Sequence, residues 1–132
     1  MGSTSKPLKG NLKKHISWFE IPVLNMQRAL AFYNFIYHME MEKVELNGYQ
    51  MAFFNKDRTS GGALVMGQGC VPSEVGTLIY LNGGKDLNSV LGRVEEAGGR
   101  IVLEKTLINK ESGFFALFID SEGNKLALHS DK

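Results

Sequence analysis

The feature that most constrains this chain is that one pattern of apolar periods, caps and turns runs through it twice. In the first pass, Ile16 to Val23 is rich in β-branched and aromatic residues and predicts a strand. Strand alternation puts Ser17, Phe19, Ile21 and Val23 on one side and Trp18, Glu20 and Pro22 on the other. Asn25 is placed to cap a helix whose apolar positions Met26, Ala29, Leu30, Tyr33, Ile36 and Tyr37 form one stripe that ends near His38. Three short strands follow, at 42–46, 49–55 and 62–66, with Asn47-Gly48 as a hairpin signal between the first two. The second pass has the same order. Thr77 to Asn82 reads as a strand, and Asp86 caps a helix striped by Leu87, Val90, Leu91, Val94 and Ala97 that stops at Gly98-Gly99. A strand begins at Arg100, and Gly113 to Ile119 and Lys125 to Ser130 make a hairpin through the turn Ser121-Glu122-Gly123-Asn124. Each pass is a βαβββ unit, with one sheet face for its helix and a second face left over.

Composition bounds what two such units can be. At 132 residues the chain forms one domain, expected over residues 13–132, with units over about 15–67 and 75–130; residues 1–12 lack periodicity and read as a flexible arm. The fold expected is α+β: tandem βαβββ units forming a curved eight-stranded mixed sheet with a concave pocket and the helices on its convex side. Fifteen glycines in 132 residues, above the usual ~7%, suit its bends. A formal net charge of +1 without long like-charge runs leaves no footprint for nucleic acid or an anionic membrane. No stretch reaches the ~20 apolar residues of a membrane helix. Cys70 is the single cysteine, so no internal disulfide can form, and the polar N-terminal residues resemble no secretory signal. The compartment expected is the cytoplasm.

Certain segments are more specific. Trp18-Phe19-Glu20-Ile21-Pro22-Val23 with Ala31-Phe32-Tyr33, then Glu96-Ala97-Gly98-Gly99, then Gly113-Phe114-Phe115-Ala116 with Asp120-Ser121-Glu122-Gly123-Asn124, resemble the vicinal oxygen chelate superfamily. That superfamily comprises glyoxalase I, bleomycin-resistance proteins, fosfomycin-resistance enzymes and extradiol dioxygenases, and the nearest branch is that of enzymes related to lactoylglutathione lyase. The resemblance implies a metal on the concave face, held by a His or Gln on the first strand and a Glu on the last strand of each unit. Carried over from caps and turns, those four positions fall on Trp18, Leu78, Ala127 and one of Val65 or Met66. Indole N–H only donates, and alkyl and thioether groups are no ligands for a hard or borderline cation, so no metal and no cofactor are expected.

What remains is a cup lined by Trp18, Met66, Leu78, Tyr80 and Ala127, apolar and aromatic, suited to a flat organic ligand. Glu20 shares Trp18's side, and His129 shares Ala127's; both are candidate polar or catalytic groups, the first as acid/base or anchor, the second as its partner. The leading expectation is a small-molecule-binding protein of the glyoxalase and bleomycin-resistance type with a metal-free pocket. The alternative is a glyoxalase-related enzyme of lyase, isomerase or dioxygenase type, using Glu20 on a small carbonyl or hydroxylated substrate, with or without a relocated metal. The resemblance also implies a homodimer.

Overall fold

The computed structural model describes residues 15–132, so the arm expected over 1–12 lies outside the described residues. Ten elements follow in chain order. The first unit comprises β1 (Phe19–Pro22), α1 (Met26–Tyr37), β2 (Val44–Leu46), β3 (Tyr49–Phe53) and β4 (Gly62–Met66). The second comprises β5 (Tyr80–Asn82), α2 (Asn88–Leu91), β6 (Arg100–Asn109), β7 (Gly113–Ile119) and β8 (Lys125–Ser130). Sheet orders are β1-β4-β3-β2 and β5-β8-β7-β6, and in each the first strand runs parallel to the last while the other neighbours are antiparallel. The two passes therefore fold into the same topology.

Local chemistry accounts for the elements. The Asn25 side chain accepts the Arg28 N–H at 3.0 Å, satisfying a free helical donor, and His38 closes α1 in the left-handed region with φ 51°. Asn47 and Gly48 both have positive φ, as a type I′ hairpin between β2 and β3 requires. α2 is shorter than its stripe predicts. Regular helix stops at Leu91, and Gly92, a poor helix former, begins a run of tighter turns in which Arg93 bonds back to Val90 and Val94 to Leu91. Its apolar positions Leu87, Val90, Leu91 and Val94 are nonetheless buried, because the stripe needs only a helical spacing to reach the core.

The eight strands form two four-stranded sheets, and among the described residues no strand pairing joins them into the single curved sheet expected. Phe19 and Val23 direct their N–H groups to β4's side, which leaves Glu20 and Pro22 facing the free edge, and Pro22 has no N–H to give. One apolar cluster takes in α1, α2 and one face of each sheet. Phe32 of α1 stacks on Phe118 of β7, with ring centroids 6.1 Å apart, so the helix of the first unit packs against the sheet of the second. The two helix-side faces thus share one core, and the opposite faces lie on the far side of each sheet from it.

A polar staple joins the units at the β7–β8 turn. Glu122, buried there, accepts the N–H groups of Leu24 and Asn25 at 2.8 Å each and receives Arg28 through Nε at 2.7 Å and Nη2 at 3.0 Å. Burial alone would raise the Glu122 carboxyl, but Arg28 and the two backbone donors outweigh it and hold the group below its usual range. Tyr33 donates its O–H to Asp120 at 2.7 Å, and burial, reinforced by that carboxylate, pushes its ionisation well above the usual phenol. Asp120 also accepts the N–H groups of Glu122 and Asn124, which gives the turn its shape. No buried side-chain polar atom among the described residues lacks a partner.

Candidate functional site

Strand register sorts the candidate residues by face. In the parallel pair Glu20 lies opposite Ala63 and Pro22 opposite Val65, while β3 sets Met51 opposite Val65 and Phe53 opposite Ala63. Glu20, Val65, Met51 and Phe53 therefore share the outer face of the first sheet, away from the core. Trp18, two residues before Glu20, joins them: its ring centroid lies 6.0 Å from that of Phe53, and its indole N–H points to the Glu20 carboxylate at 3.4 Å. Arg58, which has a positive φ, lies over Phe53 with its guanidinium carbon 5.6 Å from the ring centroid. The outer face thus carries an aromatic pair flanked by a carboxylate and a guanidinium. The sequence left Phe53 open between the cup and the core, because the side taken by Tyr49, Met51 and Phe53 depends on register, and Arg58, outside any strand, carried no signal.

Met66 is placed differently from the expectation. It pairs with Gln50 and packs against the core on the helix side; the outer position belongs to Val65. A step of one residue along a strand reverses the face, and the sequence left the two open.

The second sheet presents a matching face. Tyr80 pairs with Ala127 and Asn82 with His129, and across β7 Phe115 opposes His129 and Leu117 opposes Ala127. Tyr80 is half exposed, with its ring centroid 6.3 Å from that of Phe115. Leu78, two residues earlier, is half-buried in the approach to β5, whereas Ala127 is fully enclosed by its neighbours. His129 stands beside Asp131, Asn82 and Tyr80 around an open cavity of about 490 Å³, and its Nε2 meets the Ser112 carbonyl at 2.6 Å, which calls for the tautomer that donates there.

Glu20 and His129 do not meet. No hydrogen bond or ion pair joins them among the described residues, and they line different cavities. Glu20 instead borders a hollow of about 230 Å³ at the seam of the two units, walled by Pro22 of β1, the 71–79 connection and Lys125 of β8. Lys125 and this connection carried no functional reading in the sequence. Val71-Pro72-Ser73-Glu74-Val75 follows neither a strand nor a helix period, so the sequence carried no signal for this wall.

The donor set does not fit the metal that the resemblance implies. Indole, alkyl and methyl groups stand at Trp18, Leu78, Val65 and Ala127, and among the described residues no three His, Cys, Asp or Glu side chains gather closely enough to share an ion. Among the described residues no helix is long and apolar enough to cross a membrane.

Comparison with known proteins identifies the architecture. Glyoxalase I from Zea mays superposes with a TM-score of 0.60 at 19% identity, over 87% of this chain and 45% of that one, so this chain spans less than half of the plant enzyme. A glyoxalase-related enzyme from Fulvimarina pelagi gives 0.61 at 12% identity, over 87% of this chain and 86% of its own. A glyoxalase/bleomycin resistance protein/dioxygenase family enzyme from Burkholderia phytofirmans gives 0.61 at 13% identity, over 88% and 98%. No protein-family model and no curated protein matches the sequence. The chain shares the paired βαβββ fold of these structures, and at these identities the likeness is one of fold.

Proposed function

We propose that this protein binds a small organic molecule against the outer faces of its sheets, without a metal, in the manner of the glyoxalase and bleomycin-resistance group. The single observation that carries this reading is the outer face of the first sheet, where Trp18 and Phe53 lie 6.0 Å apart beside the Glu20 carboxylate and the Arg58 guanidinium. An aromatic surface supplies area and stacking, worth about 25 cal/mol per Å² of apolar surface covered, and the charged groups at its rim select orientation. The chemistry of the side chains at Trp18, Val65, Leu78 and Ala127 supports binding by surface complementarity rather than by ligation.

The reading includes a second copy of the chain. Tyr80, Leu46, Tyr49 and Leu103 stand exposed on outer faces or their margins, and each sheet covers its other side with the shared core. Pairing the outer face of the first sheet with that of the second in a twofold dimer would enclose a cup.

The decisive measurement is fluorescence of Trp18, the only tryptophan, during titration with a panel of aromatic and carbonyl compounds. Saturable quenching that disappears in Phe53→Ala supports the reading; no response across the panel refutes it. Turnover of a bound carbonyl compound that vanishes in Glu20→Gln while binding survives would establish the enzymatic alternative.

A further inference from the structure

The hollow at the seam is bordered by residues of both signs of charge, one from each unit. Glu20 comes from β1 of the first unit and Lys125 from β8 of the second. Among the described residues the ion pairs are Arg28–Glu122 and Lys105–Asp86, so no ion pair joins Glu20 to Lys125 although both border the cavity. A cation and an anion that border one space without pairing with each other offer a receptor for a ligand carrying the two opposite charges at its own ends.

The other walls limit what lies between those ends. Pro22, Ile79, Val71 and Val75 are apolar, and the two valines are 72% and 82% exposed, open to a ligand. The connection is tied to both units. Ser73 donates its N–H to the Asn124 side chain at 3.1 Å, Asn124 donates in turn to the Pro22 carbonyl at 2.7 Å, and Lys125 donates its N–H to the Ser73 carbonyl at 3.2 Å. The walls are therefore preorganised, which spares a ligand the entropy of ordering them. At about 230 Å³ the space lies below the roughly 300–1,000 Å³ of pockets that hold drug-sized molecules.

We propose that this cavity binds a small zwitterion of the α-amino-acid type with a short branched apolar side chain, its ammonium directed to Glu20, its carboxylate to Lys125 and its side chain to Val71 and Val75. This rests on the reading of Glu20 as a ligand anchor and names the ligand chemistry at that edge of the site. Neither charge would suffice alone, since each of the two ends contributes a separate charge-assisted contact.

The test uses the full chain and three probes that share one branched skeleton: L-valine, 3-methylbutanoate and isobutylamine. Titrations followed by backbone amide resonances should show L-valine shifting Glu20, Ser73, Thr77 and Lys125 in a saturable way, with each singly charged probe about tenfold weaker or worse. Glu20→Gln should weaken L-valine by about tenfold and leave 3-methylbutanoate unchanged, and Lys125→Met should weaken L-valine and leave isobutylamine unchanged. Both side chains reach the surface, and resonances of the core report that each variant keeps its fold. Equal affinity for all three probes, or charge variants that bind L-valine as the parent does, overturns the assignment. If L-valine leaves the seam unmoved while aromatic compounds still quench Trp18, the zwitterion site fails and the binding reading stands. If neither responds, both fail.

Discussion

Removing the Glu122 carboxylate should destabilise the fold through contacts that belong to both units at once. In Glu122→Ala the N–H groups of Leu24 and Asn25 lose an acceptor at 2.8 Å each, and Arg28 loses two contacts. Hydrogen bonds to a charged group are worth about 1.5–3 kcal/mol each when the partner is lost, with the lower end apt here because water can reach the freed donors. The Arg28 side chain is half exposed, so solvent screening reduces the ion pair to under ~1 kcal/mol. The loss comes to about 3 kcal/mol, or about 10 °C in Tm for a chain of this size. Glu122→Gln, which keeps one acceptor oxygen and the shape, should lose about half as much. The pH dependence carries a definite sign. The folded Glu122 carboxyl is held below its unfolded value, so its stabilisation is fully present above the ordinary carboxylate value of about 4.3 and disappears as pH falls through the lower folded value. Urea denaturation of the parent and Glu122→Gln at pH 7 and at successive steps below pH 4 measures both quantities. A gap between them that is under ~0.5 kcal/mol at pH 7, or that stays constant into acid, would refute the staple as an energetic link between the units.

Tyr33→Phe removes only a buried O–H that meets Asp120 at 2.7 Å, and leaves a carboxylate oxygen short of a donor; chemical denaturation should show a loss of about 1.5–3 kcal/mol. Gly62→Ala sets a methyl group against the Phe19 carbonyl oxygen and ring at the β1–β4 pair, and should lower Tm by an amount equivalent to about 1–3 kcal/mol, whereas Gly48→Ala meets no atom and should lose only what its positive φ costs, about 1 kcal/mol. Sedimentation equilibrium should find a dimer for the parent chain and a monomer with unchanged far-UV circular dichroism for Leu103→Glu; a parent that sediments as a monomer at micromolar concentration refutes the paired-face reading. Trp18→Phe should keep the fold, since the indole is only half-buried, and should weaken aromatic ligands by less than Trp18→Ala does, measured by calorimetry.

Much of the fold was legible in the residues because the signals are local. The Asn25 cap, the α1 stripe and Asn47-Gly48 each act within four residues, and β4, β7 and β8 occupy the spans that apolar runs and turn residues predict. The faces of Trp18, Glu20, Tyr80 and His129 followed from counting by twos. Met66 shows where counting fails. Its strand is apolar at Ala63, Leu64, Val65 and Met66 alike, so no alternation marks which face is covered, and the answer came from pairing with Gln50.

The chain by itself therefore determined that two βαβββ units form, where their caps and turns fall, and which side chains cannot ligate a metal, since each of these depends on neighbours within a few residues or on side-chain chemistry alone. Only the tertiary structure decided how the units meet. That Phe32 would stack on Phe118, that Glu122 would cap the start of the first helix, and that Glu20 would border one hollow with Lys125 rather than meet His129 are relations between residues 86 to 105 positions apart. No short-range pattern encodes such contacts, because they are set by which of several apolar faces gains most from being buried together.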